Sequence, residues 1–397
     1  MDTQMSFALS PEQKAWQSRV RDFVNSRVRP EAHIRERLED PNQRHPWDWV
    51  EELSAWGLRT ATVPTALGGL GFTVLDCCIV GEELGAGDLG LAVIFDQTWK
   101  LTPWLTEMTT ESQRQQLLPE FLRDHRYLLA LGLSEPDSGS DNFLPYGRLG
   151  DGVQTTAVPT ARDGRNGWIL NGVKAPISNG GSARLYVIMA RAGAENAETK
   201  WLTPFLVPAD TPGFSVQFIY DKSGQRLVHN GHLVLDGCWV PEENRIHRRA
   251  ALGDERGFPE GAATVLGVAR AAYEDAHAHA CARVQGGRPI IEHANVSTLL
   301  AEMLIELEAA RALVWRAAWT IDHPGEDQRT LAVASKVFAS EVALRIATRA
   351  LEIHGRFGVF TDRCAEKYVR DAATFLHSEG ANGVLKLRVT NALRKSD

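Results

Sequence analysis

The sequence lacks several features that would assign it to a specialised class of protein. It has only five cysteines, Cys77, Cys78, Cys238, Cys281 and Cys364, and no pair has the C-x-x-C spacing of a zinc or redox site. Neither a disulfide framework nor a metal site is indicated, and we expect the reducing environment of the cytoplasm. No run approaches the ~18 consecutive apolar residues of a membrane span. The N terminus has no signal-peptide pattern, and no membrane partner is expected.

Basic residues are also too few for a nucleic-acid-binding protein. The 43 Lys and Arg residues are outnumbered by 50 Asp and Glu residues, which gives a formal net charge of −7. This balance disfavours nucleic acid as a partner. No G-x-G-x-x-G follows a strand pattern, and neither a Walker loop nor an H-E-x-x-H motif occurs. A Rossmann dinucleotide site, a P-loop and a zinc protease site are therefore not supported.

The patterns that are present divide the 397 residues into three segments. Residues 1–127 show helical spacing of apolar residues, and Ser10-Pro-Glu-Gln13 is a capping box with proline at the first helical position. Residues 128–250 contain short β-branched and aromatic runs beside Asn-Gly turn signals. Residues 251–397 are helical again and rich in alanine, the best helix former.

These segments predict an α+β multidomain fold. Short strands with no helical pattern between them favour an antiparallel β-barrel or sandwich for residues 128–250 over a βαβ sheet. The alanine-rich runs at 262–284, 296–321, 331–353 and 362–376 predict a C-terminal four-helix bundle over residues 251–397. An N-terminal all-α domain over residues 1–127 completes the prediction.

Three short segments contain residues that could carry chemistry. The turn Leu133-Ser-Glu-Pro-Asp-Ser-Gly-Ser-Asp141 offers backbone N–H groups and hydroxyls to a polar or anionic ligand, although such turns are also common solvated loops. Glu379 follows a helical run and precedes Gly380, so it is either a general base in a cavity or a solvated glutamate at a helix end. Arg283 precedes a Gly-Gly break and is either a phosphate contact or a helix C-cap.

Taken in order, the motifs resemble those of the acyl-CoA dehydrogenase family of flavoproteins over essentially the whole chain. Val63-Pro-x-x-Leu-Gly-Gly-Leu-Gly71 with Glu82-Glu83-Leu is similar to the N-terminal signature. The 133–141 turn and Trp168-Ile-Leu-Asn-Gly-Val-Lys-Ala-Pro-Ile-Ser-Asn-Gly180 resemble the central segments. Leu266-Gly-Val-Ala-Arg-Ala-Ala272, His354-Gly355-x-x-Gly358 and Tyr368-Val-Arg-Asp-Ala372 resemble the C-terminal bundle.

The resemblance implies bound FAD and α,β-dehydrogenation of an acyl-CoA thioester. By position, Glu379 matches the catalytic base that removes the α-proton while the β-hydrogen leaves as hydride to flavin N5. In the family, the base's own backbone N–H and a flavin ribityl hydroxyl polarise the thioester carbonyl. The resemblance also implies an electron-transfer flavoprotein as electron acceptor and a homo-oligomer, commonly a dimer of dimers.

The resemblance further implies which residues bind the cofactor and the substrate. Ser134 and Ser178 match hydroxyls that contact the flavin ring, Ser140 a position near the pyrophosphate and the substrate, and Arg283 an arginine that reaches the FAD of a neighbouring subunit. The cofactor-binding set is Leu131, Leu133, Ser134, Gly139, Ser140, Pro176, Ile177, Ser178, Arg283, Glu352, Gly355, Arg356, Ala381 and Gly383. The substrate-binding set is Ser140, Arg256, Ser378 and Gly380.

Several positions depart from the family pattern. Ser378 replaces the aromatic residue before the base, and Pro176 replaces a tryptophan beside the flavin, so the site lacks two aromatic walls and suits a bulky, cyclic or polar acyl group. Glu352, Arg356, Ala381 and Gly383 replace usual FAD contacts, and Gly286 replaces a phenylalanine. Which acyl group is used, and whether CoA or an acyl-carrier protein carries it, stays open.

Two other functions remain as alternatives. The same fold serves flavin-dependent oxidases, monooxygenases and acyl-CoA lyases, although the retained Glu379 argues against these reactions. A non-catalytic flavoprotein-like binding scaffold is the third possibility. The net charge of −7 speaks against nucleic acid as its ligand.

Overall fold

The protein is described from a computed structural model over residues 7–145, 151–193, 201–246, 257–323 and 328–394. Helices occupy both ends of the chain and a sheet occupies its middle. The N-terminal helices are α1 Pro11–Phe23, α2 Arg29–Arg35, α3 Pro41–Arg44, α4 Trp47–Ala55, α5 Val74–Gly87, α6 Leu89–Thr106 and α7 Glu111–Arg123. The C-terminal helices are α8 Gly257–Ala282, α9 Ala294–Asp322, α10 Gln328–His354, α11 Ala365–Phe375 and α12 Asn382–Leu393.

The first helix begins where the sequence predicts it. The Ser10 hydroxyl accepts from the Gln13 N–H, the Gln13 side chain accepts from the Ser10 N–H, and Pro11 occupies the first turn. This capping box satisfies two backbone donors that a helix start leaves without partners. Val20 and Phe23 of this helix then enter the core.

The helix α6 lies within the predicted all-α segment 1–127, but no sequence pattern marks where it begins and ends. It is 18 residues long, begins at the cap Asp88, whose side chain accepts from the Leu91 N–H at 3.0 Å, and is buried on nearly every side. A helix buried all round shows no alternation of apolar and polar faces, which is the signal that sequence patterns depend on. This helix carries Asp96 and Lys100, two of the charged residues beside the site described below.

The central sheet has seven strands. They are β1 Leu128–Gly132, β2 Thr156–Arg162, β3 Arg165–Ser178, β4 Ala183–Ala192, β5 Trp201–Pro208, β6 Phe214–Ile219 and β7 Asn230–Pro241. The order is β1-β4-β2-β3-β7-β6, and β5 pairs with β4. Most neighbours are antiparallel, as predicted, but β1 and β2 both run parallel to β4. A small hairpin, β8 Val284–Gln285 with β9 Arg288–Pro289, follows α8.

The two helical parts share one core. Residues of α5 and α6 pack against α8, and Gly85 and Gly267 permit the close approach, since a Cβ on either would lie within 2.5 Å of the other helix's backbone. The sheet has its own core around Tyr186 and Phe205. Among the described residues, no helix has the length and apolar character needed to cross a bilayer.

Candidate active site

A cavity of about 830 Å³ opens where α6, the ends of β1 and β3, the start of α8 and the turn after α11 meet. Eleven of the residues proposed from the sequence line it. They are Leu131, Leu133, Ser134, Gly139, Ser140, Pro176, Ile177, Ser178, Ser378, Glu379 and Gly380. The fold therefore brings the 133–141 turn, the end of β3 and the segment around Glu379 to one place.

Glu379 occupies a tight turn between α11 and α12. Its φ is +57° and that of Gly380 is +95°, so the chain reverses direction here through two left-handed residues. The Glu379 side chain is only 15% exposed, which is not the solvated glutamate of the alternative interpretation. Its carboxylate lies against Gly261 of α8, where an added Cβ would come within 2.4 Å of Oε2.

Charged side chains surround this carboxylate. The Lys100 ammonium donates to Asp96 at 2.6 Å and also contacts Glu379. Burial raises the pKa of Asp96 to about 8, even though Lys100 opposes the shift. The pKa of Lys100 lies above its usual range, because the nearby carboxylates outweigh its burial. Asp96 and Lys100 belong to no sequence motif. The signal that could have found them is the presence of two charged residues one helical turn apart in an otherwise apolar run.

Lys336 of α10 holds the backbone of the same turn. Its ammonium donates to the Gly380 carbonyl at 3.0 Å and to Asn382 Oδ1 at 2.8 Å. Burial lowers the pKa of Lys336 to about 8. Ser140 adds a contact from the β domain, because its hydroxyl accepts from the Ala381 N–H at 2.8 Å. The turn is thus fixed from both domains.

The opposite wall is formed by the ends of β1 and β3. The Ala175 N–H donates to the Ser134 carbonyl at 3.0 Å and joins the two strand ends. Beneath them, the buried Lys174 ammonium donates to Glu135 at 2.7 Å and to the Leu133 carbonyl at 3.1 Å. Burial lowers the pKa of Lys174 to about 8. A buried pair of this kind is costly to break, so it secures the backbone that carries Ser134.

The remaining predicted cofactor residues lie elsewhere. Arg283 and Arg356 stack on the Phe357 ring, with guanidinium carbons 5.2 and 4.9 Å from its centroid, and Arg363 is a third at 5.8 Å. Exposed Glu352 and Gly355 lie on the same stretch of chain, and none of these residues lines the cavity. Ala381 caps α12, whose first turn contains Gly383. Arg256 lies outside the described residues.

The described part of the chain contains no cluster of three or more His, Cys, Asp or Glu side chains arranged to hold a metal ion. A largely buried carboxylate on a turn held from two sides, facing a cavity between a sheet and a helical bundle, is the arrangement expected of an enzyme site with acid–base chemistry.

Comparison with known proteins finds the same protein family in the N-terminal, central and C-terminal segments of the chain. Residues 10–125, 130–238 and 250–393 match the N-terminal, middle and C-terminal domains of acyl-CoA dehydrogenase. The benzylmalonyl-CoA dehydrogenase of Aromatoleum aromaticum is 31% identical over 96% of this chain and 98% of its own. The butyryl-CoA dehydrogenase of Megasphaera elsdenii is 30% identical, with a TM-score of 0.87 over 98% of this chain and all of its own.

A third relative, an acyl-CoA dehydrogenase from Bacillus anthracis complexed with FAD, is 25% identical. Its TM-score is 0.87 over all of this chain and 69% of its own. The chain belongs to the acyl-CoA dehydrogenase family. The predicted family, fold and enzyme class are confirmed, and the predicted FAD agrees with the cofactor of this relative.

Proposed function

We propose that this protein catalyses FAD-dependent α,β-dehydrogenation of an acyl-CoA thioester, with Glu379 as the base. The observation that carries the proposal is the geometry of Glu379, a carboxylate 15% exposed on a turn fixed by Lys336 and Ser140. A base that removes a proton from carbon must be held in place and shielded from water. Glu379 meets both requirements.

The reaction divides one pair of hydrogens between two acceptors. The Glu379 carboxylate takes the α-proton, and the electrons of that C–H bond form the new double bond as the β-hydrogen leaves. When bound, FAD supplies the acceptor for this hydride. The α-proton is acidic enough only if the thioester carbonyl is polarised, and we assign that role in part to the Glu379 backbone N–H at the turn. The products are the enoyl thioester and reduced cofactor.

The residues present fit FAD in two separate groups. Leu131, Leu133 and Ile177 offer apolar surface to a flat ring, and the hydroxyls of Ser134 and Ser178 lie on the same wall. The three arginines around Phe357 match the charge of a pyrophosphate. Because that cluster does not line the cavity of its own chain, we propose that it serves the FAD of a second copy in a homo-oligomer.

We propose a bulky, cyclic or polar acyl group as the substrate. The cavity of about 830 Å³ receives polar side chains from Gln97, Lys100 and Glu260. Ser378 adds a hydroxyl, which accepts from Gln225 Nε2 at 3.2 Å. An electron-transfer flavoprotein as acceptor and a cytoplasmic location complete the proposal. The free cysteines of the described chain support a reducing compartment.

Anaerobic titration of the holoenzyme with linear, branched, cyclic and ω-polar acyl-CoAs tests the reaction and its substrate. We expect loss of the yellow flavin absorbance, fastest with a polar or cyclic acyl group. The corresponding 2-enoyl-CoA is the matched control, because it already carries the α,β double bond that the reaction would form. Protein that holds FAD but is bleached by none of the saturated thioesters would contradict the proposal.

Gly261→Ala should impair the base without removing the cofactor. The new Cβ would lie within 2.4 Å of the Glu379 carboxylate, and displacement of a reacting group by about 1 Å costs on the order of 100-fold in rate. We expect the anaerobic rate of flavin reduction to fall by at least tenfold at unchanged FAD content. Gly81→Ala is the control, since its Cβ would meet Thr264 at an ordinary 3.7 Å. Equal rates in the two variants would show that Gly261 does not position the base.

A further inference from the structure

Asp96 and Lys100 are an unusual pair for a buried helix. They lie one turn apart on α6, where Asp96 is fully buried and the Lys100 side chain is 14% exposed. Most of their neighbours on α6 are apolar and buried. Burial of charged groups costs several kcal/mol each unless they are paired, so a helix of this kind is expected to carry leucine or alanine at such positions.

The start of α8 is shaped to receive two of these side chains. Gly257 and Gly261 lie one turn apart, and a Cβ on Gly257 would approach the Lys100 stem at 3.2 Å. A Cβ on Gly261 would collide with the Glu379 carboxylate. Glycine in a helix costs about 1 kcal/mol relative to alanine. Here two glycines open the groove in which Lys100 and Glu379 meet.

The charges around Glu379 make Lys100 its direct cationic partner. Lys336 is directed at the backbone of the turn, at the Gly380 carbonyl, while Glu260 of α8 faces the same cavity and adds negative charge. Asp96 accepts from the Lys100 ammonium at 2.6 Å, and burial raises the pKa of Asp96. Other titratable side chains that line the cavity are Glu107, Glu135, Asp137 and His377.

We propose that Lys100, held by Asp96, is a positioning residue that keeps Glu379 ionised and in place in the substrate-free enzyme. This inference rests on the proposed function, in which Glu379 is the base. Burial of a carboxyl group favours its neutral form, and a neutral carboxyl group cannot accept the α-proton. The contact with an ammonium offsets that preference, so the enzyme meets its substrate with the base ready at neutral pH.

The pH dependence of Lys100→Met tests the proposal. The measured quantity is the second-order rate of anaerobic flavin reduction at sub-saturating acyl-CoA between pH 5.5 and 9.5, since this rate reports ionisations of the free enzyme. We expect the acid limb to move to higher pH by about one unit or more, as a change of one unit corresponds to a tenfold change at low pH. The Lys100→Met rate should fall progressively below the wild-type rate as the pH is lowered, approaching a tenfold difference on the acid limb, and should lie near the wild-type rate at pH 9.

Three further variants test whether the shift of the acid limb is caused by loss of the positive charge at residue 100. Lys100→Arg keeps the charge and should retain the wild-type acid limb. Lys100→Gln, neutral but still able to donate to Asp96, should repeat the shift, and it replaces Lys100→Met if that variant binds no FAD. Lys386→Met removes an exposed lysine paired with Glu341 and should leave the profile unchanged. The same thioester is used throughout, so its own ionisations cancel between variants.

Two outcomes would overturn the proposal. An acid limb that stays in place in both neutral variants would show that Lys100 does not act on Glu379. An equal loss of rate at every pH would indicate a structural or substrate contact instead. Glu379→Gln, measured under the same conditions, distinguishes failure of the proposed function from failure of the role given to Lys100. If this variant keeps the wild-type rate, the proposed base is wrong. If it is inactive and the Lys100 profiles do not move, only the role of Lys100 fails.

Discussion

Glu379→Gln is expected to reduce the anaerobic rate of flavin reduction by about 10²–10⁴-fold, at unchanged FAD content. Glutamine keeps the size of the side chain and one acceptor oxygen but cannot take up the α-proton, and general bases contribute on the order of 10²–10⁴-fold in rate. Because Glu379 lies at φ +57° on a turn held by Lys336 and Ser140, the substitution should leave the backbone in place. Stopped-flow absorbance with the thioester found by titration measures the effect.

The control for this prediction is an exposed carboxylate. Glu111→Gln on α7 removes a surface ion pair with Arg114 and should keep the wild-type rate. A fully active Glu379→Gln enzyme would contradict the base assignment. It would favour the alternative that the fold serves an oxidase, a monooxygenase or a lyase reaction.

The second large effect is expected from complementation between two inactive variants. Glu379→Gln lacks the base, and Arg283→Ala lacks one of the three guanidiniums at Phe357 and should lose FAD. When both chains are co-expressed with different tags, a mixed pair contains one site with Glu379 from one copy and Arg283 from the other. In oligomers purified through both tags, each mixed dimer should therefore regain roughly half of the wild-type activity, as two-fold symmetry requires.

The complementation has a clear contrary result. If Arg283 acts within its own chain, every site in the mixed oligomer lacks either the base or the arginine, and activity stays at the level of the parents. Arg288→Ala, in the neighbouring β9 strand, is the control and should retain FAD and activity. Size-exclusion chromatography with light scattering gives the oligomeric state of each preparation.

The agreement between sequence and structure is closest where the signal is local. The capping box at Ser10 marks the start of α1, because its hydrogen bonds join residues three apart. The glycine after Glu379 indicates a helix break, and the chain turns there. The 133–141 turn and β3 bring Ser134 and Ser178 to one cavity, and each of the two motifs that named these residues is a contiguous stretch of chain.

The sequence patterns missed the features that depend on distant parts of the chain. The helix α6 has no amphipathic period because other elements cover nearly all of its surface, and the parallel pairing of β1 and β2 with β4 joins strands separated by long connections. Asp96 and Lys100 belong to no motif. Their significance arises only when α6 packs beside α8 and the turn of Glu379.

By itself the sequence determined the order of helical and β segments, the family and the candidate base, since these follow from local periodicity and contiguous motifs. Only the tertiary structure decided that Glu379 is buried rather than solvated, that Lys100 is its partner, and that Arg283 lies away from the cavity. The physical reason is that burial and ion pairing depend on side chains brought together from residues up to 279 positions apart. No local pattern records such contacts.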